Sequence, residues 1–305
     1  MHVTEGRMPY LGFSTYYRVV RPDHPAPGRA PLVLLHGGPG STHNYFEVLD
    51  GLADLDGRTL VMYDQLGCGL SWDDAMAGKD DLWRDLGTWD RELIALREHL
   101  GLDACHLLGQ SWGGMLAIEY LVDYRPQGVR SVVLSSTLAS SALWAEEHHR
   151  ILRHFFLKED QDVVARAEAT GQYDDPAFRA VEARFMRLYC SDPASPSDPE
   201  CVRRPKRAGR ESYLATQGDN ELKATGVFQT WDYSSRLEEI HTPALIISGT
   251  EDLCTPRVAK QMADGIPGSR WELMPGCRHM CFLDDHDRYV ALVSAWLREH
   301  DAPHA

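Results

Sequence analysis

The sequence has few of the features that characterise membrane proteins, nucleic-acid-binding proteins or disulfide-stabilised secreted domains. Its 31 lysine and arginine residues are outnumbered by 45 acidic residues, which gives a formal net charge of -14. Because nucleic-acid backbones are bound by clustered basic side chains, this balance disfavours nucleic acid as a partner. A short basic segment at residues 203–207 is interpreted as a solvated loop or helix face, with a site for an anionic partner as the alternative.

Long apolar runs are also missing. No stretch approaches the roughly 18 apolar residues that a membrane-spanning helix needs. Residues 1–7 are polar and mixed, and they lack the apolar core of a signal peptide. The seven cysteines are odd in number and scattered, which fits a reduced protein better than a disulfide framework. We therefore expect a cytoplasmic protein without a membrane partner, and the sequence does not indicate its oligomeric state.

Two of the cysteines flank a histidine in the pattern Cys277, His279, Cys281. In an extended segment, alternate residues point to the same face, so these three side chains would lie in a row. Such a row is poorly suited to the tetrahedral ligand set that zinc prefers. We accordingly predict no metal site here and no cofactor elsewhere.

The remaining composition supports a large buried core, since 43% of the residues are hydrophobic. Short continuous apolar runs alternate with helical patterns such as residues 82–100. The apolar runs lie at residues 31–35, 59–63, 104–108, 131–135, 243–248 and 270–274. Runs of this kind are typical of parallel strands buried on both faces, so the sequence predicts an α/β fold with a mostly parallel central sheet.

The alternation stops at residues 140–235, which are rich in alanine, glutamate, arginine and aromatic residues. We interpret this stretch as a helical cap inserted between a first core segment, 1–139, and a second core segment, 236–305. A final helix is predicted over about 287–298.

The strongest chemical signal is the sequence Gly-Gln-Ser-Trp-Gly at residues 109–113, which lies between an apolar run and a helical pattern. This strand-turn-helix context is typical of a nucleophile elbow, in which the flanking glycines allow the strand and helix to approach closely. The sequence therefore predicts Ser111 as a nucleophile, and such a hydroxyl needs a general base.

The predicted base is His279, because it follows the last apolar strand and would reach the carboxyl edge of the sheet. His286 lies in an acidic segment and is the weaker candidate. The orienting acid should follow the run at residues 243–248, where Glu251 and Asp252 are adjacent. The position of these carboxylates before a predicted helix start favours Asp252, and gives the chain order serine, aspartate, histidine.

Two backbone N–H groups are predicted to stabilise the oxyanion. One belongs to Trp112, the residue after the nucleophile, and the other to Gly38 in the glycine-rich turn 36–40. Glycine at this position permits close backbone approach to a substrate.

Three motifs together resemble the proline iminopeptidase family, and most closely the tricorn-interacting aminopeptidases and L-amino acid amidases. They are His-Gly-Gly-Pro-Gly at 36–40, Asp-Gln-Leu-Gly-Cys-Gly-Leu-Ser at 64–71 and Gly-Gln-Ser-Trp-Gly-Gly at 109–114. The resemblance spans nearly the whole chain and implies the α/β-hydrolase fold.

The resemblance also implies a binding site for the free α-amine of a substrate. Glu221 matches the cap glutamate that binds this amine in the family, Tyr213 matches an aromatic residue of the same site, and Gly37 is predicted to line it. A protonated amine that enters an apolar pocket needs a carboxylate to compensate its desolvation. The family often has a second glutamate directly after the catalytic aspartate, and this chain has Leu253 there.

These features predict a serine hydrolase that cleaves small amides, either by releasing an N-terminal proline or small apolar residue or by hydrolysing an amino-acid amide. Leu253 keeps open an esterase, lactonase or other tailoring hydrolase for a specialised metabolite. A third possibility is a small-molecule receptor without catalysis, because a fold does not determine function.

Overall fold

A computed structural model describes residues 1–302 of the chain. Its centre is an eight-stranded sheet with the order β1-β2-β4-β3-β5-β6-β7-β8. The strands are β1 (His2–Tyr10), β2 (Phe13–Arg21), β3 (Leu32–Leu35), β4 (Leu60–Tyr63), β5 (Cys105–Gln110), β6 (Val129–Ser135), β7 (Ala244–Gly249) and β8 (Arg270–Met274). Strands β3 to β8 are parallel, and the predicted α/β class is confirmed.

The two faces of the sheet each support a hydrophobic core. Val33 and Leu35 of β3 belong to the core on one face, whereas Leu32 and Leu34 belong to the core on the other. Because successive side chains of a strand point to opposite faces, a strand covered on both sides must be apolar throughout. This is why the central strands are visible in the sequence as short continuous apolar runs.

The first two strands were not predicted from the sequence. β1 and β2 form an antiparallel hairpin, and β2 pairs antiparallel with β4. β1 is the edge strand, and most of its residues are exposed to solvent. This strand therefore needs neither a continuous apolar run nor a strict alternation of apolar and polar residues. Its sequence accordingly lacks the patterns by which strands were predicted.

Twelve α-helices lie within the described residues. They are α1 (Gly51–Asp56), α2 (Asp81–Arg84), α3 (Gly87–Leu100), α4 (Trp112–Glu119), α5 (Ser141–Phe155), α6 (Lys158–Thr170), α7 (Pro176–Tyr189), α8 (Glu200–Arg203), α9 (Arg210–Thr216), α10 (Pro256–Gly265), α11 (Cys281–Asp284) and α12 (His286–Glu299). Helices α5 to α9 fall between β6 and β7, where the cap was predicted. Between residues 1 and 302, no helix is long and apolar enough to cross a membrane.

The prediction of one continuous helix over 82–100 was wrong. The chain forms α2 and α3, separated by Asp85 and Leu86, and Asp85 has an extended conformation. The Asp85 carboxylate accepts a hydrogen bond of 3.1 Å from the Gly87 N–H. An aspartate that binds the backbone two residues ahead favours a turn over a helix interior, and here it ends α2 and begins α3.

A pair of carboxyl groups is buried between α3 and α4. Burial raises the pKa of Asp90, and the nearby Glu119 carboxylate raises it further. The Trp231 indole N–H donates to Glu119 at 3.0 Å. As a carboxylate, Asp90 would have no hydrogen-bond donor for either oxygen within residues 1–302, whereas as a neutral acid it can donate to Glu119. These surroundings favour the neutral form of Asp90 in the folded protein.

We expect this buried acid to make the protein less stable as pH rises. The pKa of Asp90 is higher in the folded than in the unfolded chain. At pH values between these two pKa values, the folded state therefore binds more protons than the unfolded state. The stabilisation is complete at pH values below the pKa of Asp90 in the unfolded chain. It is lost as the pH rises through the pKa of Asp90 in the folded protein. The Asp90→Asn variant should therefore show a smaller decrease in melting temperature between pH 6 and pH 9 than the unmodified protein, by about 2 °C or more.

The matched control is Asp174→Asn, which changes an exposed aspartate. Thermal denaturation followed by circular dichroism at both pH values gives the comparison. Equal pH dependence in the Asp90 variant and the unmodified protein would show that Asp90 is ionised in the fold.

Candidate active site

Ser111 occupies the sharp turn between β5 and α4. Its φ of 56° lies in the left-handed region, which is unfavourable for a serine and is typical of a nucleophile elbow. A Cβ at Gly113 would overlap the backbone carbonyl of Leu35, and a Cβ at Gly109 would overlap the carbonyl of Gly113. The two glycines of the motif are thus required by the close packing of the strands and α4 around the turn.

Asp252 and His279 form a buried hydrogen-bonded pair. The His279 Nδ1 lies 2.8 Å from the Asp252 Oδ1, and both side chains are buried. Backbone N–H groups of Cys254, at 2.8 Å, and Gly249, at 3.4 Å, also donate to the Asp252 carboxylate. These bonds fix the carboxylate and orient the imidazole, so that its Nε2 is left for proton transfer.

The adjacent carboxylate and the alternative histidine lack this arrangement. Glu251 is exposed, and no hydrogen bond joins it to His279 among the residues that the structure describes. His286 lines the same cavity, but its Nδ1 contacts the carbonyl of Phe282 at 3.2 Å. The geometry therefore favours the sequence-derived choice of Asp252 and His279.

The cap holds the two loops that carry this pair. The carbonyl of Tyr189, at the end of α7, accepts hydrogen bonds of 3.1 Å from the N–H groups of both Leu253 and His279. Because a single carbonyl joins both loops, the position of the cap and the geometry of the acid-base pair are coupled.

The proposed oxyanion donors, Gly38 and Trp112, lie in the turn after β3 and directly after Ser111. Trp112 is the first residue of α4, so its N–H has no partner within the helix. Gly38 has a φ of 117°, and a Cβ there would lie 2.6 Å from the backbone nitrogen of Gly40. Among the hydrogen bonds of residues 1–302, neither N–H donates to another protein group, so both are available to a developing negative charge.

Three polar side chains to which the sequence analysis gave no individual role lie around the Gly38 loop. The Tyr45 hydroxyl accepts from the Gly37 N–H at 2.6 Å and lies 2.9 Å from Gln110 Oε1. Burial lowers the pKa of His36 to about 4, so the ring is neutral. Its Nε2 accepts from the Gln65 N–H at 3.0 Å, which leaves the proton on Nδ1, next to the Gly37 carbonyl.

A cavity of about 850 Å³ connects these groups. Of the eight residues predicted for the site, seven line it; Asp252 lies behind His279. The seven are Gly37, Gly38, Ser111, Trp112, Tyr213, Glu221 and His279. No hydrogen bond joins the Ser111 hydroxyl to His279 in the described part of the chain, and such contacts often tighten only when substrate binds.

Glu221 places a carboxyl group in the lining of this cavity. Its backbone N–H donates to Glu182 at 2.7 Å, and Glu182 is in turn held by Arg179 at 2.7 Å. Burial raises the pKa of Glu221, and the neighbouring Tyr213 hydroxyl acts in the opposite direction. Within residues 1–302 no lysine or arginine forms an ion pair with Glu221, so its carboxylate is available to a cationic ligand group.

Leu253 contributes an apolar wall where the resemblance suggested a second carboxylate. It is buried and lines the cavity. The ring nitrogens of His148 of α5 lie 2.9 Å from the Leu253 carbonyl and 3.1 Å from the Leu222 carbonyl, and the neutral ring donates to one of them. It thereby connects the loop next to Asp252 with the loop next to Glu221, and the sequence carried no signal for this role.

The extended conformation expected for residues 277–281 was wrong. Cys281 begins α11, and its Sγ donates to the Arg278 carbonyl at 3.1 Å. Ligand atoms of Asp252, Cys254 and His279 do lie within 4.8 Å of one another. Two of these groups are already partners, since the His279 Nδ1 lies 2.8 Å from the Asp252 Oδ1. We interpret this cluster as the acid-base pair with a neighbouring thiol.

The chain matches known proteins along its whole length. The family model described as the alpha/beta hydrolase fold matches residues 30–286. The proline iminopeptidase of Clostridium botulinum is 50% identical over 301 residues, covering 99% of this chain and 100% of that protein. The proline iminopeptidase of Lactobacillus helveticus is 49% identical with the same coverage.

Solved structures show the same relationship. The crystal structure of the proline iminopeptidase of Mycobacterium smegmatis superposes with a TM-score of 0.85 at 31% identity, covering 98% of this chain and 99% of that one. The crystal structure of VinJ superposes with a TM-score of 0.84 at 29% identity, covering 97% of this chain and 99% of that one.

Proposed function

The chain belongs to the proline iminopeptidases of the α/β-hydrolase fold, and from this we propose that it releases proline from the N-terminus of short peptides. The family resemblance predicted from the three motifs is confirmed by the full-length relatives. The observation that carries the proposal is the Glu221 carboxylate, which lines the same cavity as Ser111 and has no cationic partner within residues 1–302.

The proposed reaction is acyl transfer through Ser111. His279 removes the hydroxyl proton, and Ser111 attacks the carbonyl carbon of the N-terminal residue. The N–H groups of Gly38 and Trp112 stabilise the negative oxygen that forms. His279 then gives its proton to the leaving amine, and water hydrolyses the acyl-enzyme. Throughout, Asp252 holds the imidazole and stabilises its charged form.

Recognition of the free N-terminus is assigned to Glu221. A prolyl substrate brings a protonated secondary amine into a cavity with much apolar lining, where an uncompensated charge is costly. The carboxylate of Glu221 provides a charge-assisted hydrogen bond to that amine. The apolar side chains suited to the pyrrolidine ring include Met115, Leu138, Trp144, Phe228 and Leu253.

Activity on a panel of arylamides tests the proposal. We expect kcat/KM to be higher for prolyl arylamide than for alanyl arylamide. It should also exceed kcat/KM for N-blocked prolyl arylamide by at least about a hundredfold, because the blocked substrate cannot form the desolvated charge pair with Glu221. If the protein hydrolyses short acyl esters but releases no proline from prolyl substrates, the proposal is contradicted. That result would favour the esterase or lactonase alternative that Leu253 keeps open.

Replacing Glu221 separates amine binding from catalysis. Glu221→Gln should raise KM for prolyl arylamide about tenfold to a hundredfold, because the amide removes the charge that the ammonium needs. The same change should alter kcat/KM for the N-blocked substrate by less than about twofold relative to the unmodified enzyme. That substrate has no ammonium, so it does not depend on the Glu221 charge.

The matched control for this variant is Glu98→Gln, at an exposed position on α3. It should resemble the unmodified enzyme on both substrates. A Glu221 variant that loses activity equally on free and blocked substrates would remove Glu221 from amine recognition and leave it a structural role.

A further inference from the structure

The basic segment at residues 203–207 is mostly exposed, as its sequence predicts, and two of its arginines make specific contacts. Arg204 forms an ion pair of 2.8 Å with Glu47. The guanidinium of Arg207 lies 3.4 Å above the ring of Trp72. These two contacts lie on either side of Lys206 in the chain and constrain the path of the backbone around it.

Lys206 lines the same cavity as Ser111. Its Nζ lies 5.7 Å from the centre of the Tyr45 ring. The residue is exposed overall, and the partial burial of its ammonium lowers its pKa. Among the ion pairs of residues 1–302, none includes Lys206. A partly desolvated ammonium without a partner carries an electrostatic cost that an anionic ligand group would relieve.

The carboxylates near Lys206 already have other partners. Glu47 is held by Arg204 at 2.8 Å and by Arg18 at 3.9 Å. Asp64 lies 2.7 Å from the Nδ1 of His43. The protein therefore leaves Lys206 free for a negative charge that comes from outside.

Lys206 and Glu221 lie in different surroundings within the cavity. Glu221 is next to Tyr213 and Glu182 of the cap. Lys206 is next to Tyr45, whose hydroxyl accepts from the Gly37 N–H beside the nucleophile. In a bound substrate, the amine contacts Glu221 and the carbonyl carbon lies at Ser111. The leaving group is then the part of the substrate that can contact the rest of the cavity lining.

We propose that Lys206 binds the C-terminal carboxylate of the leaving residue, which makes dipeptides with a free C-terminus the preferred substrates. This inference rests on the proposed function, because it names the leaving group of the same reaction. Charge recognition at both ends would select substrates by length, since a longer peptide moves its carboxylate away from Lys206.

The test compares prolyl-glycine with prolyl-glycinamide, which differ only in the charge at the C-terminus. The variants are Lys206→Met, Lys206→Arg and the control Lys260→Met, at an exposed position on α10. We expect Lys206→Met to reduce kcat/KM for prolyl-glycine about tenfold and to change the value for prolyl-glycinamide by less than about twofold. Lys206→Arg should restore at least half of the activity on the free acid, and Lys260→Met should change neither value.

Equal effects of Lys206→Met on the acid and the amide, or no effect on either, would overturn this inference while leaving the proposed function intact. A similar kcat/KM for the acid and the amide in the unmodified enzyme would overturn it as well. Absence of turnover on both substrates by the unmodified enzyme would instead refute the proposed function and this inference with it.

Discussion

Ser111→Ala should reduce kcat/KM for prolyl arylamide by about 10⁴-fold to 10⁶-fold, because no other group at the elbow can form the acyl-enzyme. Serine at this position is held at a φ of 56° with its side chain on the cavity wall. The residual rate should come only from substrate binding and the oxyanion donors. Steady-state kinetics with freshly purified variant measures this loss.

Substrate binding should survive the Ser111 change. Glu221 and the apolar lining are untouched in the variant, so calorimetric titration with prolyl arylamide should give a dissociation constant within about threefold of the KM of the unmodified enzyme, if acylation is slow relative to release. The control is Ser197→Ala, at an exposed loop position. A Ser111 variant that keeps one tenth of the turnover would show that the nucleophile lies elsewhere.

Asp252→Asn should reduce kcat by about 10³-fold to 10⁴-fold with the fold intact, the effect of this change in other serine-histidine-aspartate sites. The Asp252 carboxylate accepts from the Cys254 N–H and from His279, each at 2.8 Å. The amide of asparagine removes the negative charge, and it turns a donor towards either the backbone N–H or the imidazole. The imidazole then loses its orientation or the correct tautomer.

Glu251→Gln is the matched control for that variant, because Glu251 is the adjacent carboxylate and is exposed. It should keep kcat within about twofold, as surface substitutions usually do. If kcat falls strongly in the Glu251 variant and only slightly in the Asp252 variant, Glu251 and not Asp252 is the carboxylate that orients His279.

The central sheet and the elbow were predictable because their local sequence reflects their environment. A strand covered on both faces must be apolar at every position, and a serine turn packed against Leu35 requires glycine at residue 113. The same reasoning predicted a helix start just after Asp252, and α10 begins there, at Pro256. It did not predict that the Thr255 hydroxyl donates to Glu147, at 2.8 Å, instead of capping the helix.

Features set by tertiary contacts were not predictable from one sequence. β1 is exposed at the edge of the sheet, so its sequence has no burial pattern. Tyr45 supports the oxyanion loop and Lys206 faces the cavity because the fold brings distant segments together. His148 likewise acquires its role only when the cap meets the loop at Leu253. Each of these residues looks ordinary in its own neighbourhood along the chain.

The account depends on an activated hydroxyl at the elbow, and covalent labelling followed by peptide mass mapping tests this most directly. After reaction with a fluorophosphonate, the protein should gain the mass of one adduct, and the modified peptide should place it on Ser111. The Asp252→Asn protein should label far more slowly. A protein that stays unmodified, or that carries the adduct on a different side chain, would contradict the account.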